Sequence, residues 1–110
     1  MVSRKYRLQS NRDVRRVQQK GKKLSGRNLR IQILPNRSGH IRFTVIVGTK
    51  TIKHATDRNR VKRQIRAQFD QFIKDNPALA FDLCVYVSNY GAGVDIKQEC
   101  MELFGQIQKV

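Results

Sequence analysis

Residues 57–73, DRNRVKRQIRAQFDQFI, make physical sense only as a helix with two opposed sides. At 100° per residue, Val61, Ile65, Phe69, Phe72 and Ile73 fall within about 120° of one another, while Asn59, Arg60, Arg63 and Arg66 fill the opposite arc. Five Lys and Arg residues occupy the nine positions from Arg58 to Arg66. One side therefore needs a core to cover it, and the other needs water or a polyanion. Lys62 lies at the margin, where its aliphatic stem covers apolar surface and its ammonium reaches solvent. Arg58 projects toward the apolar side, or out of the helix end. Cations in a first turn face the positive end of the helix dipole, which costs from a few tenths up to about 1 kcal/mol. Asp57, or Thr56 before it, is placed to cap that end, and a phosphate arriving there would offset the rest.

The charge is concentrated rather than spread. Residues 1–66 hold 20 Lys and Arg against only Asp13 and Asp57, a balance of +18, whereas residues 67–110 hold 3 basic and 6 acidic residues, a balance of −3. Because the basic residues sit among segments with a folding pattern, they predict a cationic face rather than a tail, and a polyanionic partner. At 110 residues the chain is read as one domain, 1–110. Its first residues, MVSRKYRLQSNR, carry no apolar run of the kind that targets export, and no stretch approaches the roughly 18 apolar residues of a membrane span, so the expectation is a soluble cytoplasmic chain. Cys84 and Cys100 lack the spacing of a zinc site and are read as buried free thiols.

Around the basic helix the pattern alternates. Ser10 with Asp13 reads as a helix start and Gly21 as its stop, which predicts a short helix over 11–20. Its apolar face is thin, with Val14 and Val17 at helical spacing and Leu8 before them, so it must pack on a sheet. LRIQIL, 29–34, and IRFTVIV, 41–47, both alternate, and PNRSGH between them is a turn. These strands are expected to pair antiparallel and to combine their outer faces into a wet surface bearing Arg30, Gln32, Arg42 and Thr44. FDLCVYV, 81–87, is a further strand. Asp95 with Gln98 begins a last helix with Ile96, Cys100, Leu103, Phe104 and Ile107 inward and Lys97, Glu99 and Glu102 outward.

No constellation for protein-catalysed hydrolysis is legible. Asp13, Asp57, Asp70 and Asp82 are scattered in sequence, His40 lies in a turn, and His54 lies in a basic loop where contact with phosphate, or plain exposure, is favoured over a role as general base. No catalytic and no metal-ligating residue is assigned.

The stretch VGTKTIKHATDRNRVKRQIRAQF, a strand end, a Lys-containing loop and an Arg-Asn-Arg helix, resembles the signature of the bacterial ribonuclease P protein component. RDVRRVQQKGKKLSGRNLRIQILPN and FDLCVYVSNYGAGVDIKQECMELFGQI resemble the same family, so the likeness covers roughly residues 10–107. It implies an α/β (α+β, two-layer) fold, a mixed sheet of about four strands packed by three helices in the order α-β-β-β-α-β-α, with a left-handed βαβ crossover. It also implies a subunit that binds the ribonuclease P catalytic RNA and the 5′ leader of precursor tRNA, with magnesium held mainly by the RNA and the RNA as catalyst. By position, Arg58, Asn59, Arg60, Lys62, Arg63 and Arg66 match the family's RNA-binding helix, and Lys50 and Lys53 match the loop before it. Val14, Gln18, Arg30, Gln32, Arg42 and Thr44 fall at the leader cleft. Val14 and Gln18 stand where the family usually has two phenylalanines, and Gln32 where an aromatic is frequent. Thr49 and Thr51 flank Lys50 where paired lysines are common, and Ser88 and Asn89 replace basic residues. Tyr6 and Tyr90 are candidates to supply the missing rings. A ribosomal-type RNA-binding protein without a part in catalysis is the alternative, and a DNA-coating protein a weaker one.

Overall fold

The computed structural model describes residues 4–110. Helix α1 spans Asn11–Lys20, strand β1 Lys22–Ser25, β2 Leu29–Pro35 and β3 Arg42–Ile46; α2 spans Ala55–Asp75, β4 Phe81–Val87 and α3 Ile96–Gln108, after a single 3-10 turn at Arg4–Tyr6. The strands form one mixed sheet in the order β1-β2-β4-β3. β1 and β4 run antiparallel to β2, and β3 runs parallel to β4.

The expected antiparallel pairing of β2 with β3 does not occur, because β4 lies between them. Its sequence explains why. Five of the seven residues of FDLCVYV are buried, so this strand has to be covered on both faces and belongs at the centre of a sheet. Asp82 pins the arrangement by accepting from Arg42 on β3 and from Asn36 just after β2. β1 carries almost no strand pattern of its own. Only Leu24 of its four residues is buried, and its place is set by pairing with β2.

The two faces of the sheet hold two cores. On one side Leu29, Ile31, Ile33, Phe43, Val45, Leu83, Val85 and Val87 meet α2 and α3, with Phe69 stacked on Phe43 and Phe72 on Phe104. On the other, α1 crosses β2 and β4 with a small cluster of Leu8, Val17 and Cys84, flanked by Val14, Leu34 and Tyr86. The thin apolar stripe of α1 suffices because the sheet supplies the rest of the contact.

The expected ends of α1 are observed, with a different cause at one of them. Ser10 Oγ accepts from the Asp13 backbone N–H at 3.4 Å. Gly21 ends the helix in an extended conformation, φ −69°, not a left-handed one. Glycine is needed for space: a Cβ there would lie 2.5 Å from the Val17 carbonyl oxygen and 3.2 Å from that of Ile33. Gly21→Ala is expected to force backbone apart at the α1–sheet junction and to destabilise by about 1–3 kcal/mol in urea unfolding.

Two further expectations are corrected. α2 begins at Ala55, so Thr56 and Asp57 lie inside its first turn; His54 is the N-cap, and its side chain makes no capping bond. Glu99, expected outside α3, is buried. Its carboxylate accepts from the Asn28 backbone N–H and side-chain amide, both at 2.7 Å, and from the Leu29 N–H at 3.3 Å. The β1–β2 turn would otherwise leave those donors unpaired, and an ionised acceptor gives the stronger bond. The Asn28 carbonyl in turn accepts from Ser88, so one turn ties α3 to the end of β4.

Candidate nucleic-acid interface

Helix α2 lies on the α3 side of the sheet with Val61, Ile65, Phe69, Phe72 and Ile73 buried, as its pattern requires. Asn59, Arg60, Arg63 and Arg66 are exposed, and Lys62 is half-buried at the margin. Among the described residues these side chains make one ion pair, a loose one between Arg60 and Asp57 at 3.9 Å. Lys50 and Lys53 are exposed in the loop that leads into the helix. Together they form a cationic ridge with almost no compensating carboxylate.

Arg58 does something else. One of its terminal nitrogens donates to the carbonyls of Ile52 and Lys53, at 3.0 and 2.8 Å. It folds back to hold the Lys-containing loop against the start of α2. Arg58 thereby helps to position the loop that carries Lys50 and Lys53.

Of the six residues expected at the cleft, the four on strands share one sheet face and Val14 and Gln18 lie on α1 against it, but they do not form one open surface. Register places Arg30, Gln32, Tyr86, Cys84, Asp82, Arg42 and Thr44 on the same side. β4 separates the β2 pair from the β3 pair, and α1 lies across the middle. Two recesses result. The first, about 220 Å³, is lined by Gln18, Lys23, Arg30, Gln32 and Tyr86. The second, about 290 Å³, lies at the β3 edge and includes Arg7, Gln9, Thr44 and Arg66, so the cationic helix reaches it.

Within the first recess Gln32 is buried and hydrogen-bonded through both its nitrogen and its oxygen. Its amide donates to the Gln18 carbonyl at 3.0 Å and its oxygen accepts from the Tyr86 hydroxyl at 2.7 Å. Tyr86 is the ring that sequence reasoning missed. Neither Tyr6, which packs edge-on to His40, nor Tyr90, which follows β4 and lines a hollow against α2, reaches this recess. The Arg30 guanidinium carbon stands over the Tyr86 ring, 5.0 Å from its centroid, a cation–aromatic pair. Val14 is half-buried against the small core, where it serves packing.

Arg42 is held in place rather than free. It makes two bonds to Asp82, at 2.9 and 2.8 Å, and lies 3.6 Å from Asp13. Arg16 adds a contact to Asp82 at 3.3 Å. The hydrogen bonds that Arg42 donates to Asp82 raise its pKa. Sequence separation hid this cluster: Asp13 and Asp82, scattered along the chain, meet around two arginines. Being spent on guanidinium groups, these carboxylates are unsuited to hold a metal ion, and no group of three or more acidic, His or Cys side chains converges among the described residues. His40 is engaged with the Lys5 carbonyl at 2.9 Å, and His54 is exposed.

Both thiols are buried. Burial pushes Cys84 up to about 11 and Cys100 up to about 12 from an ordinary 9.0. At pH 8 both should resist iodoacetamide until the protein unfolds, which mass spectrometry of alkylated protein would check. Since the folded state keeps these protons longer than the unfolded one, stability should fall as pH rises from about 9 towards 11.

No helix among the described residues is long and apolar enough to cross a membrane. The family model described as Ribonuclease P matches residues 2–110. The ribonuclease P protein component of Synechocystis sp. is 37% identical over 106 residues, 91% of this chain and 83% of that protein. Among solved structures, the RNase P protein of Staphylococcus aureus superposes with a TM-score of 0.77 at 28% identity over 96% of each chain. That of Thermotoga maritima gives 0.77 at 25% identity, over 94% of this chain and 96% of the other.

Proposed function

The chain belongs to the ribonuclease P protein family, and from that premise we propose that it acts in the cytoplasm as the protein subunit of a ribonucleoprotein that removes the 5′ leader of precursor tRNA. The observation that carries this reading is the cationic ridge of α2, with almost no compensating carboxylate, together with a Tyr86–Arg30 cation–aromatic pair on the opposite side of the sheet. Arg60, Arg63 and Arg66, with Asn59, Lys62, Lys50 and Lys53, take phosphates of the catalytic RNA. The recess of Gln18, Arg30, Gln32 and Tyr86 takes the single-stranded leader, and Thr44 and Arg66 continue its track at the β3 edge.

The protein's part is electrostatic and positional. Magnesium bound mainly by the RNA supplies the hydrolytic chemistry. Neutralising phosphates allows RNA and substrate to approach at modest ionic strength, and holding the leader fixes the scissile bond relative to the RNA. Gln32 is locked by its two hydrogen bonds and holds the Tyr86 ring in place. The ring and the Arg30 guanidinium are flat surfaces on which an unpaired base stacks, a role the family more often gives to phenylalanines of α1.

Stacking on one aromatic is worth about 1–3 kcal/mol per base. Tyr86→Ala should therefore weaken binding of a leader-bearing precursor tRNA to the assembled enzyme by about tenfold and leave a leaderless substrate unaffected. Equal losses for both substrates would place the leader elsewhere.

A further inference from the structure

A hollow of about 570 Å³ plays no part in the cleft described above. It lies where the middle of α2 meets the segment between β4 and α3, and its size is in the range of small-ligand clefts, about 300–1,000 Å³. We propose that it is a nucleotide-binding site that receives one unpaired base of the same RNA that lies along α2, a proposal that rests on the ribonucleoprotein reading.

The lining fits a base better than a phosphate or an apolar ligand. Gln64 and Gln68 stand one turn apart on α2, and neither side chain is hydrogen-bonded to another of the described residues. A primary amide offers a donor and an acceptor together, the pairing a base edge presents. Tyr90 contributes a half-buried ring on the opposite wall. Asp95 also lines the hollow; its carboxylate accepts from the Gln98 N–H and has capacity left for an exocyclic amine. That carboxylate would repel a phosphate. Lys97 is exposed at the rim, where it suits the backbone of the bound nucleotide.

Position supplies the second argument. Arg60 and Arg63 precede Gln64 and Ala67 by four residues each, about 6 Å along the same stripe of α2. A strand whose phosphates lie on those arginines passes the mouth of the hollow within one helical turn. An extended base there needs no rearrangement of the protein.

The test compares binding of a bacterial ribonuclease P RNA to wild type, to Gln64→Ala/Gln68→Ala and to Arg63→Ala over a range of salt concentrations, with unfolding midpoints as a control for folding. The glutamine variant should bind about tenfold more weakly with an unchanged salt slope, since a base contact releases no counterion. Abasic substitution through the RNA should find one position that costs the wild type the same factor and the variant nothing further. Unchanged affinity of the glutamine variant beside weakened binding by Arg63→Ala would overturn the nucleotide site and leave the RNA interface standing. A reduced salt slope in the glutamine variant would overturn it too, by showing a phosphate contact. If Arg63→Ala is also without effect, the α2 interface fails and the proposal with it.

Discussion

Asp82→Ala should destabilise the protein more than any substitution on its surface, by about 3–5 kcal/mol, as expected when one partner of a buried ion pair is removed. Asp82 is fully buried, and its two oxygens accept from Arg42, Arg16 and Asn36. Without it the Arg42 guanidinium stays inside the sheet face facing only Asp13, 3.6 Å away and partly solvated. The effect is more than energetic, because Asp82 joins β3, β4 and the end of β2. Losing it removes the side-chain link from β3 to the end of β2 and leaves the backbone pairing of β3 with β4 in place. Asp13→Ala gives the contrast: its pairs are longer and partly exposed, and a loss below about 1 kcal/mol is expected. Urea unfolding of the two variants measures the difference, and similar losses would mean that Asp82 is not the hub.

The largest functional effect is expected from Arg60→Ala/Arg63→Ala/Arg66→Ala. All three side chains are exposed and none supports the core, so stability should change by no more than about 0.5 kcal/mol. Affinity for the catalytic RNA should fall by about 100-fold or more, as charge-assisted bonds are each worth about 1.5–3 kcal/mol. The slope of log affinity against log salt should shrink by about 2–3 units, one counterion for each lost phosphate contact. Arg58→Ala should behave differently. It removes the bonds to Ile52 and Lys53, loosens the loop and costs stability, with a smaller change in slope than a direct phosphate contact gives. A triple variant with unchanged salt dependence would move the interface off α2.

What could be read from the sequence depended on whether identity and position agreed. In α1, β2 and β4 the apolar period and the bounding residues pointed the same way, and those elements lie where the pattern put them, whereas the apolar period of α2 held but its start lies before the expected cap. Glu99 shows the opposite case. Its spacing from Ile96 and Leu103 places it on the inward stripe, but a carboxylate reads as outward unless its partners, here the donors of the Asn28 turn, are known. Tyr86 was hidden for a related reason. It alternates with Asp82 and Cys84 on β4, so it shares a face with Arg30, but this follows only once β4 is placed next to β2. The doubly buried character of β4 was the available signal for that placement, and proximity in sequence favoured the wrong neighbour, β3. The cationic ridge needed no such knowledge, since one helix carries it; the cleft is built from four elements and was only half visible.

The most direct test is cleavage of precursor tRNA by a bacterial ribonuclease P RNA at low magnesium, with and without this protein, at several leader lengths. The subunit role predicts that the protein lowers the magnesium requirement and that stimulation grows once the leader is long enough to reach the Tyr86 recess. Tight binding to the RNA with no stimulation at any leader length would contradict it, and would leave a protein that binds structured RNA without a part in its catalysis.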